Sequence, residues 1–254
     1  MAPPTDSMRY AEHGDLPTDG LTLVEGLPGH GLVASIAVEE IVDQLGLSHV
    51  GSVESAAHFP VLSYEDGGVR DPVRVYARDS TSVVGLVSDT AVPPAAFADL
   101  GRTLVDALAD SLSLAVFLVE VPTVGPPGET VVSAVGSTPA LRSSFEDAAV
   151  PVEADAGLIV GPTGALASAF YHAGVPTAVL LVKTDVDPFV PDPLGAKALI
   201  DDALEPLVDF SIDTAPLAER AESIRENYQR TAAQFRQLTD GDGLTESTYE
   251  MMYH

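Results

Sequence analysis

Between residues 21 and 210 the apolar positions of the chain switch repeatedly between an extended and a helical period. An apolar run at 21–25 reads as a strand, followed by a glycine loop and a helical pattern over 31–45. On that helix Ile36, Ile41 and Leu45 share one side, while Glu39, Glu40 and Asp43 are left for solvent, and Gly46 ends it. Extended patterns follow at 49–55, 61–64, 73–77 and 82–88, and Glu65-Asp66-Gly67-Gly68 between two of them is a hairpin signal. Helices are expected at 95–110, 139–148, 164–172 and 193–208, and strands at 114–121, 131–135, 158–160 and 177–183.

Strands that alternate with helices and carry near-continuous Val, Leu and Ile runs predict an α/β fold. It should be a three-layer α/β/α sandwich on a mixed, mostly parallel sheet, with the early hairpin in its antiparallel part. No internal repeat interrupts residues 21–210, which read as one domain. Residues 1–20 lack periodicity and read as a flexible arm, and the Pro/Gly-rich stretch 122–128 as a loop. Beyond the domain, Leu217, Ala221, Ile224, Tyr228, Thr231, Phe235 and Leu238 fall at alternating steps of four and three, a heptad seam with a polar Thr231. A C-terminal helix over 211–239 follows, either packed on its own domain or available for self-association. Asp240-Gly241-Asp242-Gly243 stops it, leaving 240–254 as a flexible tail.

Composition changes the picture in one respect. The chain is 46% hydrophobic, with a mean hydropathy of +0.20, so it can bury a core; yet its net charge is −26. Only Lys183 and Lys197 are lysines. Such a surface repels itself at low ionic strength and is screened in molar salt, where the Debye length is about 3 Å. The expected setting is the salt-accumulating cytoplasm of a halophile. Nucleic acid would be repelled. With no cysteine, disulfides, thiolate catalysis and Cys-based zinc sites are excluded. No signal peptide and no membrane span are apparent.

Candidate chemistry is sparse. Glu25-Gly26-Leu27-Pro28-Gly29-His30-Gly31 joins a strand to a helix, and Gly161-Pro162-Thr163-Gly164 does so a second time. Glycines let a backbone approach a ligand, and helix N-termini favour anions. Two such loops can meet beyond the carboxyl ends of parallel strands, where ligands bind. The ligand-loop residues are therefore Gly26, Pro28, Gly29, His30, Gly31, Gly161, Thr163 and Gly164, with tight strand-to-helix turns as the plainer alternative. The loops lack the G-x-G-x-x-G fingerprint and a P-loop lysine. The six histidines are scattered without metal spacing, and His172 suits the end of a helix. No catalytic residue, metal site or cofactor is assigned. At the end of the chain, Met252-Tyr253-His254 combines an apolar residue, a tyrosine and a carboxylate that a lysine pocket could capture. The alternative is a frayed terminus.

The stretch 25–42, EGLPGHGLVASIAVEEIV, resembles the opening of archaeal proteasome assembly chaperone family proteins. His58-Phe59-Pro60, the hairpin and Val73-Arg74-Val75-Tyr76 match the next part of that pattern. Gly161-Pro162-Thr163-Gly164-Ala165-Leu166, then Gly174-Val175-Pro176 and the strand 178–182, match a later part. The resemblance spans about 21–210. It implies a fold similar to nucleoside phosphorylases and hydrolases, a chaperone or adaptor role rather than catalysis, homo-oligomers, and binding to proteasome α-subunit rings or the 20S particle. Some members end in a hydrophobic–tyrosine–any motif, which Met252, Tyr253 and His254 match. The competing expectation is a small-molecule enzyme, or a ligand-binding regulator, using the glycine loops.

Overall fold

The computed structural model describes residues 8–17, 20–122, 130–184 and 190–224. At its centre is an eight-stranded sheet in the order β1-β3-β6-β7-β2-β8-β10-β9. The strands are β1 (Arg9–Glu12), β2 (Leu21–Gly26), β3 (Ser48–Glu54), β6 (Val73–Ala77), β7 (Val83–Ser88), β8 (Leu112–Pro122), β9 (Val131–Gly136) and β10 (Thr177–Thr184). A separate hairpin pairs β4 (Ser63–Glu65) with β5 (Gly68–Arg70). β7, β2, β8 and β10 are mutually parallel at the centre. β3 is antiparallel to β6, and β6 to β7, so β3 shares the central direction; β1, β6 and β9 run against it. The sheet is mixed, with most strands pointing one way, as expected.

Helices cover both faces. On one lie α1 (Val33–Leu45), α3 (Pro139–Asp147) and α5 (Pro193–Leu199), whose core includes Ile41, Val116, Phe145, Leu180 and Leu199. On the other lie α2 (Phe97–Leu108) and α4 (Gly161–His172), whose core includes Leu23, Leu104, Phe117, Leu166 and Phe170. The rings of Phe117 and Phe170 meet with centroids 5.9 Å apart. Burying one such side chain contributes about 1.5–3 kcal/mol. α1 lies so close on the sheet that a Cβ at Gly26 or Gly85 would come within 2.7–2.8 Å of Val38 or Val42.

Local chemistry sets the element ends. α1 stops where Gly46 turns left-handed (φ 60) and the Leu47 amide donates to Val42 O at 2.9 Å, a Schellman closure. Thr138 caps α3 through the Leu141 amide, and Asp192 caps α5 through the Gly195 amide at 3.0 Å, each followed by Pro at the first helical position. α5 runs on through a π-helical stretch at Ile200–Leu204 into α6 (Glu205–Leu207). In the hairpin, Asp66 (φ 48) and Gly67 (φ 79) supply the two positive φ values of a type I′ turn.

The early hairpin, expected in the antiparallel part of the main sheet, stands apart from it as a two-stranded sheet, and the antiparallel part is made by β1, β3, β6 and β9 instead. Three further expectations need correction. Residues 158–160 form no strand: Leu158 and Val160 are 91% and 74% exposed. The neighbouring sheet edge is already taken, because Ala134 on β9 bridges to Val152 and exchanges hydrogen bonds with Pro151 and Glu153. Helix α4 starts at Gly161 rather than Gly164, so Gly161-Pro162-Thr163-Gly164 is its first turn and not a loop before it. Within the N-terminal arm, Arg9–Glu12 forms β1 against β3, with Tyr10 lying over Gly51, where a Cβ would collide with its hydroxyl. After α6, residues 215–224 are helical and bury Leu217 and Ala221 against the chain's own domain. Seam residues Tyr228, Thr231, Phe235 and Leu238 lie outside the described residues, as does the 122–128 loop apart from Pro122, which ends β8.

Candidate functional site

β2 is an apolar strand in the middle of the sheet, except that it ends on Glu25-Gly26. Odd positions 21, 23 and 25 face the α2–α4 side, so Glu25 points beneath the N-terminal turn of α4 and is fully buried. Its Oε1 accepts from Thr163 Oγ1 at 3.0 Å and from the Leu27 amide at 3.2 Å; its Oε2 accepts from the Leu118 amide at 3.4 Å. Burial pushes its pKa up to about 7, and these three donors offset only part of that.

A second carboxylate flanks the same loop on the opposite face. Glu120, near the end of β8, has both oxygens shut off from water and without a hydrogen-bond partner among the described residues. It packs on Gly31: a Cβ there would lie 2.6 Å from Glu120 Oε1. Gly31 also has φ +58, a conformation that favours glycine, and its carbonyl accepts from the Asp192 amide at 2.8 Å. Burial, then the nearby charge of Asp192, raises Glu120 to about 8.

The two glycine segments are tied together by Glu25, through its contact with Thr163 in the first turn of α4. Gly26 and Gly31 are buried, Pro28 is half-buried, and Gly29 and His30 are exposed in the β2–α1 turn. Of the α4 set, Thr163 reaches Glu25; Gly161 is exposed; and Gly164 leaves room for Ile159, whose carbonyl oxygen would lie 2.3 Å from an added Cβ. Donors that could have faced an outside anion, the Leu27 amide and the Thr163 hydroxyl, are taken by a carboxylate of the chain itself. Glu120 and Asp192 escaped the sequence reading, and Glu25 entered it only as the first residue of the loop, without a role. A single acid in each of the apolar strands β2 and β8 was the available signal.

The histidines are less scattered in space than in sequence. His13 and His49 both reach the Ser52 hydroxyl, at 3.1 and 2.9 Å, with ring centroids 4.7 Å apart. Burial, then His13, lowers the pKa of His49. Ser55, His58 and Asp99 line up, but Ser55 Oγ accepts from the His58 amide at 3.3 Å as a turn cap, and the His58–Asp99 contact is 3.8 Å long. His172 ends α4 as expected. Among the described residues no group of three or more His, Asp or Glu could hold a metal ion, and no helix is long and apolar enough to cross a membrane. Met252, Tyr253 and His254 lie outside the described residues.

The α/β/α sandwich is shared with proteins of known structure. Pyrococcus furiosus PbaA, described as an archaeal homolog of proteasome-assembly chaperone, superimposes with a TM-score of 0.80 at 23% identity, covering 97% of this chain and 100% of that one. Pyrococcus furiosus PbaB, described as an archaeal proteasome activator, gives 0.76 at 20% identity, covering 89% and 99%. An uncharacterized protein of Methanocaldococcus jannaschii is 26% identical over 230 residues, 90% of this chain and 92% of that one. Residues 23–232 match the model of the PAC2 family, and the chain belongs to that family.

Proposed function

We propose that this PAC2 protein is a proteasome-associated chaperone or adaptor that docks on α-subunit rings. Likeness to PbaA and PbaB over almost the whole length of each carries the reading, since both are described by a proteasome role. The residues assigned to the contact are Met252, Tyr253 and His254. Met252 would fill an apolar cleft beside Tyr253, and the carboxylate would meet a lysine. One such contact is weak in salt, so several copies presented together by a homo-oligomer would be needed to hold a ring. The setting assigned is the cytoplasm of a halophile, from the −26 charge.

A pulldown of α-subunits in molar KCl tests this. The full chain should retain rings, and a chain lacking residues 252–254 should lose most of the binding while keeping its circular dichroism spectrum. Equal retention by the two would place the docking surface elsewhere, and no retention by either would remove the proteasome reading. A second reading, ligand binding at the β2–α1 turn, is favoured by the two carboxylates held against that turn.

A further inference from the structure

The N-terminal arm enters the fold as β1, the edge strand of the main sheet, paired with β3. Arg9 to Glu12 lie against Glu54 to Gly51, and the His13 and Gly14 amides extend the ladder by donating to Val50 O at 2.8 and 3.1 Å. So short an edge strand is weakly held by its backbone alone. The exposed Arg9–Glu54 ion pair adds little. A further side-chain tie is centred on Ser52. This serine is fully buried, and its hydroxyl lies 3.1 Å from His13 Nε2 and 2.9 Å from His49 Nε2. His49 Nε2 is also 3.0 Å from Gly51 O. A carbonyl only accepts, so His49 carries its proton on Nε2 and donates toward Gly51 O and Ser52 Oγ. The serine proton is then directed to His13 Nε2, whose lone pair must be free. The tie therefore requires a neutral His13.

We infer that His13, Ser52 and His49 form an acid-released latch that holds the N-terminal arm on the edge of the sheet. A proton on His13 Nε2 removes the acceptor of the Ser52 hydroxyl and turns a second N–H toward that buried oxygen, leaving the serine proton unplaced. It also sets a cation beside the His49 ring, with centroids 4.7 Å apart. From β6, the Tyr76 ring lies 5.5 Å from His49, and Arg74, opposite Ser52 in register, adds a positive charge that Asp71 opposes. On the arm, Glu12 and Asp15 are exposed and Arg9 is tied to Glu54. Tyr10, raised to about 12 by burial and then by Glu12, stays neutral. From α2, Asp106 lines a hollow with Tyr10 and Glu12. Among the described residues neither imidazole is ion-paired with a carboxylate. Burial, then His13, lowers the pKa of His49, so the closed latch binds protons less tightly than the open chain. It is favoured above pH 6.5 and weakens as pH falls below that value. Release uncovers the outer edge of β3, a row of N–H and C=O groups able to take up an extended strand. The inference is independent of ring docking.

Hydrogen exchange of the full chain in molar KCl, at about pH 8 and about pH 5, tests this; the two values bracket the ordinary histidine pKa of about 6.5. After correction for intrinsic exchange rates, the amides of residues 9–14 should open about 10-fold or more readily at the lower pH, while those of β8 and β10 stay protected. His13→Gln, at an exposed position, keeps a carbonyl acceptor for Ser52 that does not titrate, and should remove most of the rise. Ring NMR of the wild type at the higher pH should place the His13 proton on Nδ1 and the His49 proton on Nε2. No rise in the wild type, or an equal rise in His13→Gln, overturns the inference. So does a rise shared by the whole sheet, which is general acid unfolding, or the opposite pair of tautomers.

Discussion

Thr163 donates its hydroxyl to Glu25 across 3.0 Å and thereby pins the first turn of α4 to the end of the first central strand. Both partners lie in segments that the sequence marks by glycine, yet 138 residues separate them. The contact is held by a carboxylate whose charge is costly where it sits. Glu25 is fully buried and raised to about 7 from an ordinary 4.5, so the fold binds its proton more tightly than the unfolded chain does. Its contribution is therefore most favourable below about pH 4.5, declines between 4.5 and about 7, and is lost above. Glu25→Gln keeps an acceptor for Thr163 without the charge. Denaturation at pH 8 should show the variant more stable by up to a few kcal/mol, and at pH 4.5 nearly unchanged. No gain at pH 8 would mean that the charge is compensated by groups outside the described residues.

Gly31 and Glu120 form the tightest packing of the β2–α1 turn. Gly31→Ala adds a Cβ in a left-handed residue and drives it against the Glu120 carboxylate, at 2.6 Å if nothing moved. Backbone strain and displacement together should cost about 1–3 kcal/mol. Glu120→Ala removes the collision but not the strain, so Gly31→Ala should cost less in that background. A double-mutant cycle in urea measures the difference, and a coupling near zero would show that the Glu120 side chain simply swings away.

Arg74 and Asp89 form an ion pair in which the cation is buried and the carboxylate partly exposed. Two guanidinium nitrogens of Arg74, whose side chain is only 2% exposed, reach the two Asp89 oxygens, and the third nitrogen donates to Tyr76 Oη at 2.8 Å. Burial works against the Asp89 charge, but the hydrogen bonds and charge of Arg74 hold its pKa below the usual carboxylate range. Asp89→Ala strands a buried cation and should cost about 3–5 kcal/mol. Arg74→Met with Asp89→Leu should recover much of that loss. If the single variant costs under 1 kcal/mol, water already solvates the pair.

How far the fold was legible follows from which interactions are local. The Asp66-Gly67 turn carries its own conformational demand, and its position was read correctly, but the hairpin it closes stands apart from the main sheet instead of forming its antiparallel part. α1 was found from its period, with Gly46 stopping it. Pro162 just inside α4 was the local sign that the helix starts at Gly161, a sign that the glycines around it masked. β1 has no alternating apolar pattern, and only pairing with β3 makes Arg9–Glu12 a strand. Residues 158–160 look like a strand because they are apolar, but only Ile159 packs against the core, and Leu158 and Val160 stand exposed without any ladder. The site was half legible. Its glycines stand out in the sequence, whereas Glu25, Glu120 and Asp192 come together only through the order of β2, β8 and α5 in space.

A salt requirement is expected from charge counting and from what the few cations are doing. There are 38 acidic side chains and 12 basic ones. Lys183 is held by Glu153, and Lys197 by Asp201 and Thr214; Arg70 and Arg74 meet Glu65 and Asp89. These cations are spent on local ties, so the remaining acids repel one another with little relief from the chain itself. Mobile ions must supply the screening. In ~0.1 M KCl the Debye length is about 10 Å, and in molar KCl it falls to about 3 Å. Melting temperature should therefore rise steeply with KCl and less steeply above about 1 M, because further screening acts on separations already beyond the Debye length. Potassium and sodium should act alike if screening alone is responsible. A chain in which six surface acids are replaced by lysine should melt higher in low salt and show a flatter salt curve. Equal melting temperatures for the wild type in 0.1 M and molar KCl would show that the surface charge does not govern its stability.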